Sequence, residues 1–384
     1  MKGCLTYLFL IATTTVSGQL DSLSWATTVW GQYRSNVLSQ ELGRLLQRGG
    51  YIERPLIEAA QAAQGINMGA FGYTSGVALD WCSLRPLRNT ELHLCGSFQF
   101  KSLGDFRWTP EFFDLVFTGN AGHLGRWDVL DGTRMRTASW VELAVGVEGS
   151  NQNRIELGLV YRMQSYDALI QNGYFLVNEG LDYMTGSLRG YLGWAEGPSW
   201  GLVTNAEWHF LREEAPFAFH LRLQNFGFVA APRWTELKID TLIETSGLTL
   251  TGPGLSVESI AQLTGISDLT STSTDRYRFD LMPFRISTAF EYPIGPRSGL
   301  DLQAQAGDWM PTPRASAGYR RAVSKQYQMG IQLVTGGWGR LRPAAWVRWR
   351  KPGQCAFMLF LEDPLGWGSS TAYGRGITLR YQNL

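Results

Sequence analysis

The chain lacks the long apolar runs of helical membrane proteins. After residue 18 of its 384 residues, no stretch approaches the ~20 apolar residues that a membrane-spanning helix requires. Charge is also scarce, since 17% of the residues are charged and the formal net charge is +1. Near-neutrality excludes a strongly basic nucleic-acid binder, and the 13% of aromatic residues exclude intrinsic disorder. A large soluble β protein and a membrane β-barrel remain.

Catalytic and metal-binding motifs are missing as well. The four histidines show no H-E-x-x-H spacing, there is no phosphate loop, and no Cys/His spacing indicates zinc. Residues 197–201 match the letters of the G-x-S-x-G nucleophile elbow, but a strand-like run begins at Trp200, where that motif requires a helix. We therefore expect no enzyme, no cofactor and no metal site.

Residues 1–18 have the layout of a secretory signal peptide. Lys2 precedes an apolar segment that ends at Val16, and small residues follow it. Its removal takes one of the 34 basic residues and leaves 33 of each sign in a single domain over 19–384. The sequence predicts an exported protein, and its charge balance argues against a strongly ion-selective pore. Apolar cargo or a protein partner remains.

Two of the remaining cysteines flank a predicted turn. Cys82 closes one strand-like segment and Cys95 lies in the next. Export permits disulfide bonds, so the two residues either pair across a hairpin or remain two unpaired small side chains.

Apolar and polar residues alternate with period two from Thr137 onward. Ile155, Leu157 and Leu159 alternate with Glu156 and Gly158, for example. Such strands fit a soluble sandwich or a membrane barrel. Segments of ~9–11 residues and a polar face rich in small residues favour the barrel. We predict an all-β transmembrane antiparallel barrel of about 14 strands, with 12–16 tolerable, in contact with bacterial outer-membrane lipid.

Aromatic residues gather at the segment ends, where girdles at the two lipid boundaries are expected. They are Trp194, Trp200, Trp234, Tyr292, Trp309, Trp338 and Trp367.

Charged and histidine side chains on the polar face are candidates to line the lumen. Both signs are interspersed, so these side chains either pair to stabilise the wall or line a selective path. His209 and His220 fall on adjacent predicted strands and are expected to be neighbours. The candidates are Glu142, Glu156, Arg162, Glu207, His209, His220, Arg222, Arg285, Asp301, Arg348 and Arg350.

Three stretches interrupt the alternation. Residues 35–64 predict two helices, the second beginning near Pro55, that form a plug in the lumen or a periplasmic segment sealing one end. Residues 109–120 predict a short helix capped by Thr109. A third irregular stretch spans 254–267.

Residues 109–163 resemble an uncharacterised family of outer-membrane β-barrels from the Bacteroidota. Residues 114–120 match its D-L-x-F-x-G-N motif. Trp140, Glu142 and Gly146 match aromatic-x-E-x-x-x-G. Ile155, Gly158 and Arg162 stand at the positions of L-x-x-G-x-x-x-K, with Ile for Leu and Arg for Lys.

That family is distantly similar to FadL-type transporters and to the PorV and PorP/SprF accessory barrels. The resemblance implies an outer-membrane barrel, and a FadL-like arrangement would imply that it passes a small hydrophobic molecule. The alternative is a membrane anchor that transports nothing and serves a surface or secretion complex of the type IX or gliding kind, with a protein partner in the outer membrane or periplasm. A soluble exported β protein is the second alternative.

Overall fold

The computed structural model describes residues 23–49, 51–119, 123–149, 151–179, 183–211, 217–246, 271–274, 277–351 and 353–383. The predicted signal peptide 1–18 and the irregular stretch 254–267 lie outside these residues. Within the described ranges, no helix combines the length and apolar character needed to cross a membrane.

The described residues are dominated by β-strands. They are β1 (Leu23–Ser35), β2 (Gly69–Pro86), β3 (His93–Trp108), β4 (Trp127–Val129), β5 (Arg134–Glu148), β6 (Arg154–Val177), β7 (Tyr183–Ala195), β8 (Ser199–Leu211), β9 (Ala218–Ala231), β10 (Trp234–Ser246), β11 (Ser271–Thr274), β12 (Arg278–Leu281), β13 (Arg285–Gly295), β14 (Ser298–Gly307), β15 (Thr312–Ala322), β16 (Tyr327–Gly337), β17 (Gly339–Lys351), β18 (Cys355–Glu362) and β19 (Gly374–Asn383).

Fourteen strands in the described part of the chain close into one antiparallel ring. Its order is β1-β2-β3-β5-β6-β8-β9-β13-β14-β15-β16-β17-β18-β19, and β19 pairs back with β1 from Trp25–Asn383 to Arg34–Gly374. Closure leaves no unpaired ring edge, which is the condition for backbone that crosses lipid. The predicted antiparallel barrel of about 14 strands is confirmed.

The two faces of the ring differ in polarity. The outer face exposes apolar side chains such as Leu143, Leu157 and Ile331. Glu142 precedes Leu143 and Glu156 precedes Leu157 in the sequence, and both glutamates are buried inside. An apolar exterior around a polar interior is the pattern of a barrel surrounded by lipid, and the inverse of a soluble sandwich.

Local bulges change the phase of this alternation. The pairing of β5 with β6 shifts register between Ser139 and Trp140, and that of β8 with β9 shifts between Thr204 and Ala206. Asn225 has a φ of 57° at the second shift. Each bulge adds one unpaired residue to its strand, so side chains beyond it change faces.

A smaller sheet extends beyond the ring. The second half of β6 pairs with β4 and β7, β7 pairs with β10, and β10 pairs with β11. The first half of β6 pairs with β8 inside the ring. The long strand β6 therefore belongs to both sheets.

The two ends of the barrel differ. At one end, β1 begins and β19 ends. The connections at this end are short, and they include β2–β3, β5–β6 and β17–β18. We call the opposite end the mouth. It carries α1 (Gln40–Arg48), α2 (Arg54–Gln64), α3 (Pro110–Thr118), the extension sheet and the 3-10 helix Pro364–Trp367.

The three helices match the sequence prediction, since they fall within 35–64 and 109–120. The side chains of Ser39 and Thr109 cap α1 and α3 by accepting from Leu42 N and Phe112 N. The helices pack together with the mouth ends of the strands in one apolar cluster. Its buried members are Val37, Leu42, Ile57, Ala60, Trp108 and Phe113.

Candidate functional site

The turn between β14 and β15 folds inward across the mouth. Asp308 and Trp309, the first residues of this "Asp308 turn" (residues 308–311), have left-handed φ values of 50° and 60°. Lys101 Nζ on β3, on the opposite wall, lies 2.6 Å from Asp308 Oδ1, and Arg285 on β13 binds the other carboxylate oxygen. Two cations from two walls therefore hold the turn in the lumen.

The charge of Asp308 is stabilised at this position. Burial alone raises the pKa of a carboxyl group, but the positive charges of Arg285 and Lys101 outweigh it and hold the pKa of Asp308 below its ordinary value. The carboxylate therefore stays ionised and keeps its two ion pairs at neutral pH.

A second connection reaches inward from the β16–β17 turn. Trp338 Nε1 donates to Asp105 Oδ1 on β3 at 2.8 Å, and the tryptophan is almost fully buried. Asp105 also accepts from Arg136 Nη2 at 2.7 Å and from Arg107 Nε at 3.2 Å. Hydrogen bonds to charged groups in such networks are stronger than neutral ones, so this second turn also ties one wall to another.

A cavity of about 290 Å³ lies beside the Asp308 turn. Aromatic rings contribute much of its lining: Tyr166, Trp140, Trp234, Phe284 and Trp309. It is bounded by β5, β6, β10, β12, the connection from β12 to β13 and the turn itself, where the extension sheet leaves the ring. A concave site rich in aromatic groups is typical of small-molecule binding.

The charged side chains that line this cavity all have partners of opposite charge, some of them outside the lining. Arg134 binds Asp167 through two hydrogen bonds of 3.0 and 2.9 Å. Arg162 Nη2 and Arg278 Nε both lie 2.8 Å from the carboxylate of Asp280. Each lining carboxylate therefore has a cation partner, and the cavity combines aromatic rings with paired charges.

Three donors in the cavity lining have no hydrogen-bond partner among the described residues. They are Nε of Arg136, Nε of Arg162 and Nε1 of Trp140. A few polar groups in an apolar pocket orient a ligand rather than supply most of its affinity. These donors match an acceptor atom on an otherwise apolar guest.

The predicted lumen residues all lie on ring strands, at positions that alternate with outward apolar side chains. Of these, Arg162 lines the cavity and Arg285 binds Asp308. The others lie elsewhere on the ring strands: Glu142, Glu156, Glu207, His209, His220, Arg222, Asp301, Arg348 and Arg350.

The carboxylates of this deeper group are bound to wall residues. Asn205 Nδ2 donates to Glu142 Oε1 at 2.6 Å, and Ser97 Oγ donates to Glu156 Oε2 at 3.2 Å. Arg320 Nη1 lies 3.1 Å from Asp301 Oδ1. The first two contacts bridge strands that are separated by one strand of the ring, and the third joins adjacent strands. Side chains that stabilise the wall are expected to make such contacts.

The two histidines are neighbours on β8 and β9. Their Nδ1 atoms are 2.6 Å apart, and His209 Nε2 lies 3.0 Å from Glu207 Oε1. Arg222 Nε is 3.6 Å from the same carboxylate. Ser199, of the elbow-like sequence, begins β8 at its other end and is followed by a strand, so this serine is not on a nucleophile elbow.

Arg348 and Arg350 lie on β17 near the end with short turns. Neither takes part in an ion pair with another described residue. With Arg380 on β19 they form a basic patch.

Sequence reasoning misplaced several aromatic residues. Trp234 and Trp338, expected at the lipid boundary, are 3% and 2% exposed. Trp309 packs against the buried apolar cluster that contains Leu103 and Trp338. The cause is that the turns carrying Trp309 and Trp338 fold into the lumen instead of standing in the headgroup region. Trp200, Tyr292 and Trp367 are exposed.

Sequence reasoning also missed Lys101, Asp105 and Asp308. In β3 the inward positions mix Lys101 and Asp105 with Leu103, while Ser102 and Gly104 face outward, so the period-two signal disappears there. The sequence signal for these residues is the presence of a lysine and an aspartate, Lys101 and Asp105, within one strand-like segment.

Cys82 and Cys95 are directly opposite each other on β2 and β3 and are joined by a disulfide bond, with Cα atoms 4.1 Å apart. Glu148 lies beside them, with a carboxylate oxygen 3.5 Å from Cys82 Sγ. Cys355 is a free thiol.

Solved structures of other barrels are similar to this chain over most of its length. The Pseudomonas putida toluene transporter TodX is 8% identical with a TM-score of 0.36, covering 94% of this chain and 88% of TodX. A Pseudomonas aeruginosa FadL homologue is 9% identical with a TM-score of 0.38, covering 94% and 90%. The translocator domain of the autotransporter NalP from Neisseria meningitidis is 6% identical with a TM-score of 0.31, covering 100% and 96%.

Likeness at this level does not indicate what this chain carries or binds. No protein-family model and no curated protein sequence matches the chain. The resemblance to the Bacteroidota family and to the PorV-type accessory barrels therefore stays a prediction.

Proposed function

We propose that this protein is an outer-membrane barrel that admits a small, largely apolar molecule through its mouth. The observation that carries the proposal is the aromatic cavity beside the Asp308 turn, whose charged lining residues all have partners of opposite charge. Its volume, about 290 Å³, lies near the lower end of ligand pockets. The guest is therefore the size of a single substituted aromatic ring.

The proposal includes an orientation in the membrane. Outer-membrane barrels place short turns in the periplasm and longer segments outside. The short-turn end with both strand termini then faces the periplasm, and the mouth faces the exterior. In that orientation the helices within 35–64 act as a plug over the outer mouth and not as a periplasmic segment.

Passage requires the Asp308 turn to leave the mouth. The turn forms one wall of the cavity and is held by the ion pairs of Asp308 with Lys101 and Arg285. Movement of the turn breaks these contacts while the fourteen-stranded ring stays intact. The Asp308 turn is accordingly the gate, and the cavity beside it is the binding site for the guest molecule.

The test is ligand-detected NMR with 4-fluorotoluene and the full chain in detergent. We expect saturation transfer to the probe with wild-type protein, and about tenfold weaker binding in Ala138→Phe, which fills the cavity. The matched control Trp200→Ala removes an exposed ring on the lipid face, and we expect it to bind as wild type does. Equal binding by all three proteins would show partition into detergent and overturn the proposal.

A second candidate function is the membrane anchor with a protein partner. The observation in its favour is the extension sheet beyond the ring, where Leu242, Trp127 and Val129 are exposed. Purification in mild detergent tests it, because an anchor retains a partner at fixed stoichiometry. Recovery of the chain alone, with probe binding intact, would favour the first candidate.

A further inference from the structure

A cluster of guanidinium groups lies on one wall of the mouth, away from the aromatic cavity. Arg34 of β1, Arg314 of β15 and Arg342 of β17 all bind a single carboxylate, Glu362 of β18. Arg342 Nε lies 2.6 Å from Glu362 Oε1, and Arg314 Nη2 lies 2.9 Å from Oε2. We call these four residues the Glu362 cluster.

The Glu362 cluster carries more positive than negative charge. Three guanidinium groups face one carboxylate, which leaves an excess of two positive charges. Arg340 and Asp363, the next charged residues around the adjoining cavity, offset each other. The side chains of Arg34, Arg342 and Glu362 are nearly inaccessible to solvent. Buried charge without a counter-charge is unfavourable, so the cluster lacks a partner of negative sign.

Hydrogen-bond donors in the cluster are also unmatched. Nε of Arg34, Nε of Arg314 and Nη2 of Arg342 are buried without a partner among the described residues. Arginine offers donors only, so the group that completes the cluster must be an acceptor. This observation is independent of the charge count and selects the same kind of ligand.

A cavity of about 300 Å³ adjoins the cluster. Arg34, Arg340 and Arg342 line it together with Ser35 and Tyr373, and it shares no lining residue with the aromatic cavity. The Arg340 guanidinium stacks over the Tyr373 ring at 4.6 Å and donates to Asn36 O at 2.7 Å. The basic wall is therefore held in place before any ligand arrives.

We propose that this cavity binds a dissolved, doubly charged oxyanion such as phosphate or sulfate, free or carried on a small solute. Two negative charges balance the excess of the cluster, and the oxygen atoms accept from the unmatched donors of Arg34 and Arg342, which line the cavity. Arginine groups recognise such oxyanions through charge-assisted hydrogen bonds. Because the side chains of Arg34 and Arg342 that line the site are buried, the proposed ligand is a dissolved ion and not a lipid headgroup.

Calorimetric titration of the full chain in neutral detergent tests the proposal, with inorganic phosphate, sulfate and chloride at matched ionic strength. We expect one site per chain for phosphate and sulfate and no saturable heat with chloride. Phosphate titrated against lipid-free and lipid-supplemented samples should give the same affinity, because the ligand is the dissolved ion. The proposal is overturned if phosphate behaves as chloride does.

Variants locate the site. Arg342→Gln and Arg314→Gln each remove a cluster cation, and each should weaken phosphate binding about tenfold or more. Arg320→Gln is the matched control, because Arg320 is a lumen arginine bound to Asp301 and Glu291 outside the cavity. Equal affinity in Arg314→Gln, Arg320→Gln and wild type would place the bound ion elsewhere and contradict the assignment. Probe binding in the aromatic cavity is a separate readout that these variants leave unchanged.

Discussion

Lys101 Nζ and Asp308 Oδ1 lie 2.6 Å apart, with both side chains 1% exposed, and join β3 to a turn from the opposite wall of the barrel. The left-handed φ values of Asp308 and Trp309 are unfavourable for residues other than glycine, at a cost of about 1–3 kcal/mol each. The ion pairs of Asp308 with Lys101 and Arg285 offset that cost. The ion pairs therefore hold the β14–β15 turn inward at the mouth.

Asp308→Ala should destabilise the protein strongly. Removing the carboxylate leaves Lys101 buried without its counter-charge, which costs about 3–5 kcal/mol. Urea unfolding in detergent measures the loss of unfolding free energy. The control is Asp240→Ala, whose carboxylate pairs with Arg189 at an exposed site on the extension sheet, where about 0–1 kcal/mol is expected. Equal losses in the two variants would refute a structural role for the buried pair.

Acid should loosen the turn only at low pH. The pKa of Asp308 is lower in the folded protein than in the unfolded chain, where it is about 3.9. The ionised carboxylate therefore contributes its full stabilisation above the unfolded-state pKa. That contribution is lost as the pH falls through the lower folded-state pKa. Wild-type stability should therefore decline below about pH 4, and Asp308→Asn should lack that component of the decline. Unfolding midpoints from pH 3 to pH 7, about the range in which carboxyl groups titrate, measure it. Parallel curves for the two proteins would contradict the prediction.

The Cys82–Cys95 bond should stabilise the β2–β3 hairpin. The two residues are 13 positions apart, and a disulfide closing a loop of that size contributes about 2–4 kcal/mol. Replacement of both cysteines by serine should lower unfolding free energy by that amount, while Cys355→Ser, at the free thiol, should not. Mass spectrometry after alkylation without reductant should find one modified cysteine in the mature chain. Three modified cysteines would show that the bond is absent.

Gly72 should not tolerate a side chain. A Cβ at this position would lie 2.1 Å from Cδ2 of Trp338 and displace the ring that donates to Asp105. Gly72→Ala should therefore cost about 1–3 kcal/mol of unfolding free energy, as overpacked cores do. Gly31→Ala is the control, since no atom lies within 4 Å of its added Cβ. A neutral Gly72→Ala would mean that Trp338 is not fixed at the mouth.

The sequence predicts the barrel because strand alternation is a local property. Ile155, Leu157 and Leu159 carry it directly, and the helix after Thr109 follows from its cap. The bulges at β6 and β9 depend on pairing between strands and leave no clear local signal.

The contacts at the mouth are less predictable, because they also depend on residues that are far apart in the sequence. Trp309 and Trp338 have the sequence context of boundary aromatics, and only the inward folding of their turns places them in the lumen. Lys101 meets Asp308 across 207 residues of sequence, a separation that no motif spans. Long-range placement of turns, and not residue type, determines this site.

Single-channel conductance in planar bilayers tests the closed mouth most directly, with wild type, Asp308→Ala and the control Asp240→Ala compared under one salt condition. The account predicts little or no steady conductance for wild type and Asp240→Ala, and clear opening events for Asp308→Ala, because its turn is no longer held by Lys101 and Arg285. Steady, equal conductance in all three proteins would show that the Asp308 turn does not close the lumen and would contradict the account.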